Sequence, residues 1–234
     1  MHKIILSLLI LLISTIGLSQ GKTDEQQKTN SRKQLKIAAE QKIKEMYNGV
    51  LLVRLKTRKK SIAALRSSGR DAKADKIERK QAEFNTEIIN GFKANFDFCP
   101  TYFFYSDYSQ AALDGQFDKV EFLNDSLQYD STITFNNKII YTAEFGIIEQ
   151  DSVQFFDDYY YEAGEEVGLQ KRKQYNGGAN MSFGALIIKS DQFIQLRKPF
   201  PYYSRTLGSV PIKRKPELVI AEMNSQLHRF YKKN

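Results

Sequence analysis

The sequence predicts an α/β fold: a single domain in which helices pack on a mixed central sheet built around a βαβ unit and two hairpins. Three observations predict it. Val50-Leu51-Leu52-Val53-Arg54-Leu55 is apolar on both residue parities, the pattern of a strand covered on both faces. From Asp71 the series Ile77, Phe84, Ile88 and Phe92 recurs at helical spacing. Thr101-Tyr102-Phe103-Phe104-Tyr105, entered through Cys99-Pro100, then supplies a second strand. Strand, long helix and strand make a βαβ unit, whose crossover is expected to be right-handed.

The elements follow in order. Met1-His2-Lys3, the apolar run from Ile4 to Leu18 and the small residues Gly17 and Ser19 predict a secretory signal peptide over 1–19. The run falls short of the ~20 residues a spanning helix needs, so it is expected to be cleaved before Gln20. Gln20 is not a cysteine and offers no thiol for a lipid anchor. Residues 20–30 contain no large apolar side chain and are expected to form a disordered tether. The α/β domain is assigned to 31–234. Leu35, Ala39, Ile43 and Met46 then mark an amphipathic helix ended by Asn48-Gly49.

A helix from near Lys60, interrupted at Gly69, precedes the long one. Ser109 to Gly115 suits a short helix, and Lys119-Val120-Glu121-Phe122-Leu123 a third strand. Alternation through Leu127, Tyr129, Ile133 and Phe135, then through Ile139, Tyr141, Ala143 and Phe145, predicts a hairpin turning at Asn136-Asn137. Residues 149–182, with Asp157-Asp158-Tyr159-Tyr160-Tyr161-Glu162 and Lys171-Arg172-Lys173, read as an acidic-aromatic excursion. Gly184 to Ile188 and Phe193 to Leu196 predict the second hairpin, closed by Pro199 and Pro201. Pro216 opens a last helix with the apolar line Val219, Met223, Leu227 and Phe230.

Composition narrows the chemistry. At 234 residues, 41% hydrophobic and 26% charged, the chain is of ordinary globular make-up. It can bury about 70% of its unfolded surface without a disulfide or metal. Its one cysteine, Cys99, excludes an intrachain disulfide, and loss of the leader leaves His228 as the sole histidine. Histidine-rich zinc sites and two-histidine iron sites are thereby excluded, and no cofactor is implied. Walker, dinucleotide-binding, nucleophile-elbow and zinc motifs are absent.

Charge is partitioned along the chain. Residues 20–96 carry 19 basic and 9 acidic side chains, 97–166 carry 2 and 15, and 167–234 carry 13 and 3. The acidic middle is expected to face the basic flanks within the fold or across a homodimer. The run Arg54-Leu55-Lys56-Thr57-Arg58-Lys59-Lys60 would suit nucleic acid in a cytosolic protein. Export argues against that partner and for an acidic protein, an anionic glycan or a lipid surface.

Candidate binding residues follow from strand polarity. Ligands of open α/β sheets lie beyond the carboxyl ends of parallel strands, where helix N-termini also offer free N–H groups. Thr57 and Arg58 follow the first predicted strand, and Ser106, Asp107 and Ser109 follow the second. The competing role for Asp107 or Ser109 is to cap the next helix. Cys99, beside a proline and before an aromatic strand, reads as buried and inert. His228 has no carboxylate within one turn of its own helix.

Three functions are expected in order. The first is a non-catalytic, secreted or periplasmic protein that binds a partner or belongs to the cell envelope. The second is a hydrolase acting on glycans with two carboxylates, given the abundance of Asp, Glu and Tyr. The third is a fold similar to the second half of the thioredoxin-like fold, in its final hairpin and helix only, without the redox Cys-x-x-Cys pair.

Overall fold

The computed structural model describes residues 32–124, 126–134, 139–148, 153–162, 165–175, 183–207 and 213–234. The leader over 1–19 and the tether over 20–30 lie outside the described residues.

The first described helix, α1 (residues 32–48), buries Ala39, Ile43 and Met46 and leaves Leu35 exposed. Strand β1 (Val50–Leu55) follows at once. Its side chains divide as the double-parity pattern requires: Leu51, Val53 and Leu55 enter the larger apolar core, and Val50 and Leu52 a smaller one on the other face. Helix α2 (Lys59–Ser67) stops before Gly69, whose φ of 70° suits a residue without Cβ. Helix α3 (Asp71–Asn95) then returns the chain to β2 (Thr101–Tyr105), parallel to β1 in register Leu51 to Thr101. This is the expected βαβ unit.

Beyond β2 come a 3-10 turn at Ser106–Tyr108, the short helix α4 (Ser109–Leu113), a second such turn at Phe117–Lys119, and β3 (Phe122–Leu123). The third strand is thus shorter than predicted, because Lys119 closes the 3-10 turn. Strand β4 (Ile140–Ile147) runs parallel to β1 on the side away from β2. The chain continues through β5 (Val153–Glu162) and β6 (Glu165–Tyr175) to β7 (Gly184–Ser190), β8 (Tyr203–Arg205) and α5 (Pro216–Lys233).

The main sheet has the order β3-β2-β1-β4-β7-β8. Its three inner parallel strands, β2, β1 and β4, are flanked by antiparallel β3 on one side and by β7 and β8 on the other. Apolar residues of α1, α3 and α5 join one core on one face. Ala112 of α4 joins Val120, Phe104 and Phe122 on the other. Within the larger core α3 and α5 approach closely at Gly91, where a Cβ would stand 2.7 Å from Ile220 Cδ1 and 3.3 Å from the backbone of Glu217.

Two predicted hairpins are corrected. Both edges of β4 are taken, by β1 and β7, so residues 127–133 have no edge of β4 to pair with. Tyr129 instead bridges back to Leu123. The expected turn at Asn136-Asn137 lies outside the described residues. In the second case 193–196 folds back on the end of β7 only through the Lys189 to Gln195 bridge, and the strand on the outer edge of β7, opposite β4, is Tyr203–Arg205, beyond the prolines. Phe193 has a φ of 54°, outside the extended range a strand requires.

The excursion holds an unpredicted strand pair. β5 and β6 form their own two-stranded antiparallel sheet, with Asp157 in register with Lys171 and Phe156 with Arg172. The acidic run and the basic triplet are therefore cross-strand neighbours in register.

Candidate functional site

Three parallel strands end on one edge of the sheet. The crossover from β1 goes to β2 on one side, and the chain later places β4 on the other side of β1. Connections that diverge in this way leave a crevice beyond the strand ends. A cavity of about 440 Å³ lies there, lined by residues at the exit of β1, by one face of α3, by Phe145 of β4 and by Lys213.

The lining is cationic. Arg54, Lys56, Arg58, Lys80 and Lys213 contribute to it, against the carboxylates of Glu83 and Glu87. Arg54 is neutralised by Glu144, whereas Lys56, Arg58, Lys80 and Lys213 form no ion pair among the described residues. Lys213 Nζ stands 5.0 Å from the centroid of the Phe84 ring, and Phe84 meets Phe145 edge-on at 5.6 Å.

Arg58 is held by a chain of buried amides. It has a left-handed φ of 55° immediately before α2, and its Nε donates to Gln81 Oε1 at 2.8 Å. Gln81 Nε2 donates to Asn85 Oδ1 at 2.9 Å, and Asn85 Nδ2 donates to the Lys56 carbonyl at 3.0 Å. Both amides are buried, yet each has its partners, which removes the cost of an unsatisfied polar group. The relay ties the carboxyl end of β1 to α3 and anchors the guanidinium through its Nε.

On the other face of β1 the same basic run does something else. Arg54 donates through Nε to Ser109 Oγ at 2.7 Å and through a terminal nitrogen to Glu144 Oε2 at 2.6 Å. Lys189 Nζ donates to Glu144 Oε1 at 2.6 Å. Burial by itself would raise the Glu144 pKa. The hydrogen bond from Lys189 and the positive charges of Lys189, Arg54 and Lys56 outweigh it and hold the carboxyl below its ordinary range.

The predicted binding residues all fall at this edge but divide into two groups. Arg58 lines the cavity; Ser106, Asp107 and Ser109 do not. Asp107 accepts from the Thr57 hydroxyl at 3.2 Å and pairs with Lys59 at 3.1 Å. Ser109 supports Arg54, and its hydroxyl also donates to the Ser106 carbonyl. Neither Asp107 nor Ser109 caps a helix through its side chain. Gln81 and Asn85 are missed by sequence reasoning because amides on a helix read as a solvated face. The signal that could have found them is spacing: Gln81 lies four residues after Ile77 and seven before Ile88, and Asn85 lies four after Gln81 and three before Ile88, on the inward face.

Cys99 is buried, and burial pushes its thiol up to about 12. His228 has a carboxylate partner from another element: its Nε2 lies 2.8 Å from Asp97 Oδ1, which also accepts from Asn224 Nδ2 at 2.8 Å. Hydrogen bonds from Asn224 and His228 hold the Asp97 carboxyl below its usual range. No group of three or more metal-ligating side chains occurs among the described residues, and none of their helices is long and apolar enough to cross a membrane.

Two cavities contain carboxylate pairs. Glu83 and Glu87 sit one turn apart on α3, on the same wall. Glu45 of α1 and Asp191, just after β7, line a cavity of about 450 Å³ near the start of β4. Both Glu45 oxygens already accept, one from Gln41 at 2.7 Å and one from the Tyr141 hydroxyl at 3.0 Å. Comparison with known protein families, curated proteins and solved structures finds no match, so the function of this chain has to be read from its own residues.

Proposed function

We propose that this chain is a non-catalytic binding protein working outside the cytosol, and that its ligand presents an anionic group to the cavity at Arg58. The observation that carries this is the convergence of Lys56, Arg58, Lys80 and Lys213 on one cavity without an ion-pair partner among the described residues. Cations gathered this way repel each other, so an anion that enters relieves their repulsion as well as gaining its own hydrogen bonds. The Gln81-Asn85 relay supports the reading, since fixing Arg58 before the ligand arrives lowers the entropy cost of binding. An acidic protein, an anionic glycan and a lipid headgroup all carry groups of this kind.

A carboxylate hydrolase acting on glycans is supported less well. Such an enzyme needs two carboxyl groups across a cleft at roughly 5 to 10 Å, one of them free to take up a proton. The carboxylates of the cationic cavity share a single wall, and Glu45 in the other cavity is committed to Tyr141 and Gln41.

The test is a titration of the protein with inorganic phosphate followed by NMR chemical shifts. Shifts are expected at Arg58, Gln81 and Asn85. Arg58→Gln should weaken binding by about tenfold, the size of a lost hydrogen bond to a charged group. Raising the salt concentration should weaken it further. Equal affinities for the wild type and Arg58→Gln would overturn the proposal.

A further inference from the structure

We infer that the ligand of this cavity joins its anionic group directly to a flat aromatic ring. This rests on the anion-binding proposal and concerns the other half of the ligand.

A site made for a bare ion is lined by hydrogen-bond donors. Here Phe84 and Phe145 share the lining with the cations, and each ring is only half-buried. Their centroids are 5.6 Å apart with an interplanar angle of 73°, the edge-to-face arrangement that aromatic rings prefer. A third ring extends such a cluster more favourably than an alkyl chain does, because ring edges and faces carry opposite partial charge.

Lys213 fixes how the two halves of the ligand connect. Its ammonium nitrogen stands 5.0 Å from the Phe84 centroid, so a cation and an aromatic wall occupy adjacent places in one cavity. A ligand that satisfies both must carry its anion beside its ring, not at the end of a long spacer. The cavity, about 440 Å³, is at the small end of ligand pockets and suits a single ring with its substituent. Glu83 and Glu87 in the lining oppose a second anionic group.

Inorganic phosphate, hexyl phosphate and phenyl phosphate, titrated calorimetrically into the full chain, separate the alternatives. Phenyl phosphate is expected to bind about tenfold more tightly than inorganic phosphate, with hexyl phosphate in between. In Phe84→Leu, and independently in Phe145→Leu, phenyl phosphate should lose its advantage over hexyl phosphate while inorganic phosphate still binds. Inorganic phosphate binding with no gain from phenyl, or hexyl matching phenyl on the wild type, would overturn the aromatic inference and leave the anion site intact. If none of the three binds, the anion site itself is wrong. The wild-type series decides the matter even if a leucine variant fails to fold.

Discussion

Glu144 shows how one side chain ties the sheet edge together. Its carboxylate lies between Arg54 of β1 and Lys189 of β7, so a residue of β4 links its two neighbours. Removing the negative charge leaves two partly buried cations facing each other, and Glu144→Gln should cost about 2 kcal/mol at neutral pH. The pH dependence has a definite sign. The folded pKa is depressed, so the carboxylate's contribution is present above its unfolded value and is lost as pH falls through the folded one. Urea unfolding midpoints of the wild type and Glu144→Gln should therefore differ at pH 7 and converge in acid; parallel curves would show that Glu144 is not ionised in its ion pairs. Legibility at this scale followed strand polarity. Arg58 is legible because it follows a parallel strand. The Arg54-Glu144-Lys189 triad is hidden because Glu144 lies 90 residues from Arg54 and 45 from Lys189, and the three meet only when the sheet forms.

At the scale of elements, the contact of α3 with α5 is governed by Gly91. Alanine is the better helix former by about 1 kcal/mol, so propensity favours Gly91→Ala. Its Cβ, however, would approach Ile220 Cδ1 to 2.7 Å and the backbone of Glu217 to 3.3 Å, and Ile220 is fully buried. Overpacking of this kind costs about 1–3 kcal/mol, enough to outweigh propensity. Gly91→Ala is expected to lower the urea midpoint, and adding Ile220→Val, which removes the clashing methyl, should restore part of the loss. Additive effects of the two substitutions would disprove the steric explanation. Elements set by local pattern are readable in advance: β1, β2, α3 and α5 each bury a face that their own periodicity announces. The errors come where pairing is non-local. Alternation in 127–145 looks like a hairpin because it does not show that β4 inserts between β1 and β7. The three-residue β8 lies beyond two prolines and gives too short a pattern to outweigh 193–196.

At the scale of the whole molecule, four side-chain pairs among the described residues connect the charge blocks. Lys59-Asp107, Arg54-Glu144, Lys189-Glu144 and His228-Asp97 each join a basic flank to the acidic middle. Three of the four lie at the edge where β1, β2 and β4 end or in the adjoining strand β7. Lys56, Arg58, Lys80 and Lys213 stand outside these pairs and belong to the excess of basic side chains on the two flanks. Cys99 belongs to the opposite end of the strands, just ahead of β2. With its side chain in the core and its thiol pushed up to about 12, it can react only when the structure opens. A thiol-labelling reagent at pH 8 should therefore modify the native protein at least about a thousandfold more slowly than the urea-unfolded chain, since stability of a few kcal/mol keeps the open form that rare. The rate should also rise when Gly91→Ala loosens the same core. Fast labelling of the native wild type would mean that Cys99 is reachable in the folded state, and a redox role for the lone thiol would then have to replace a purely structural one.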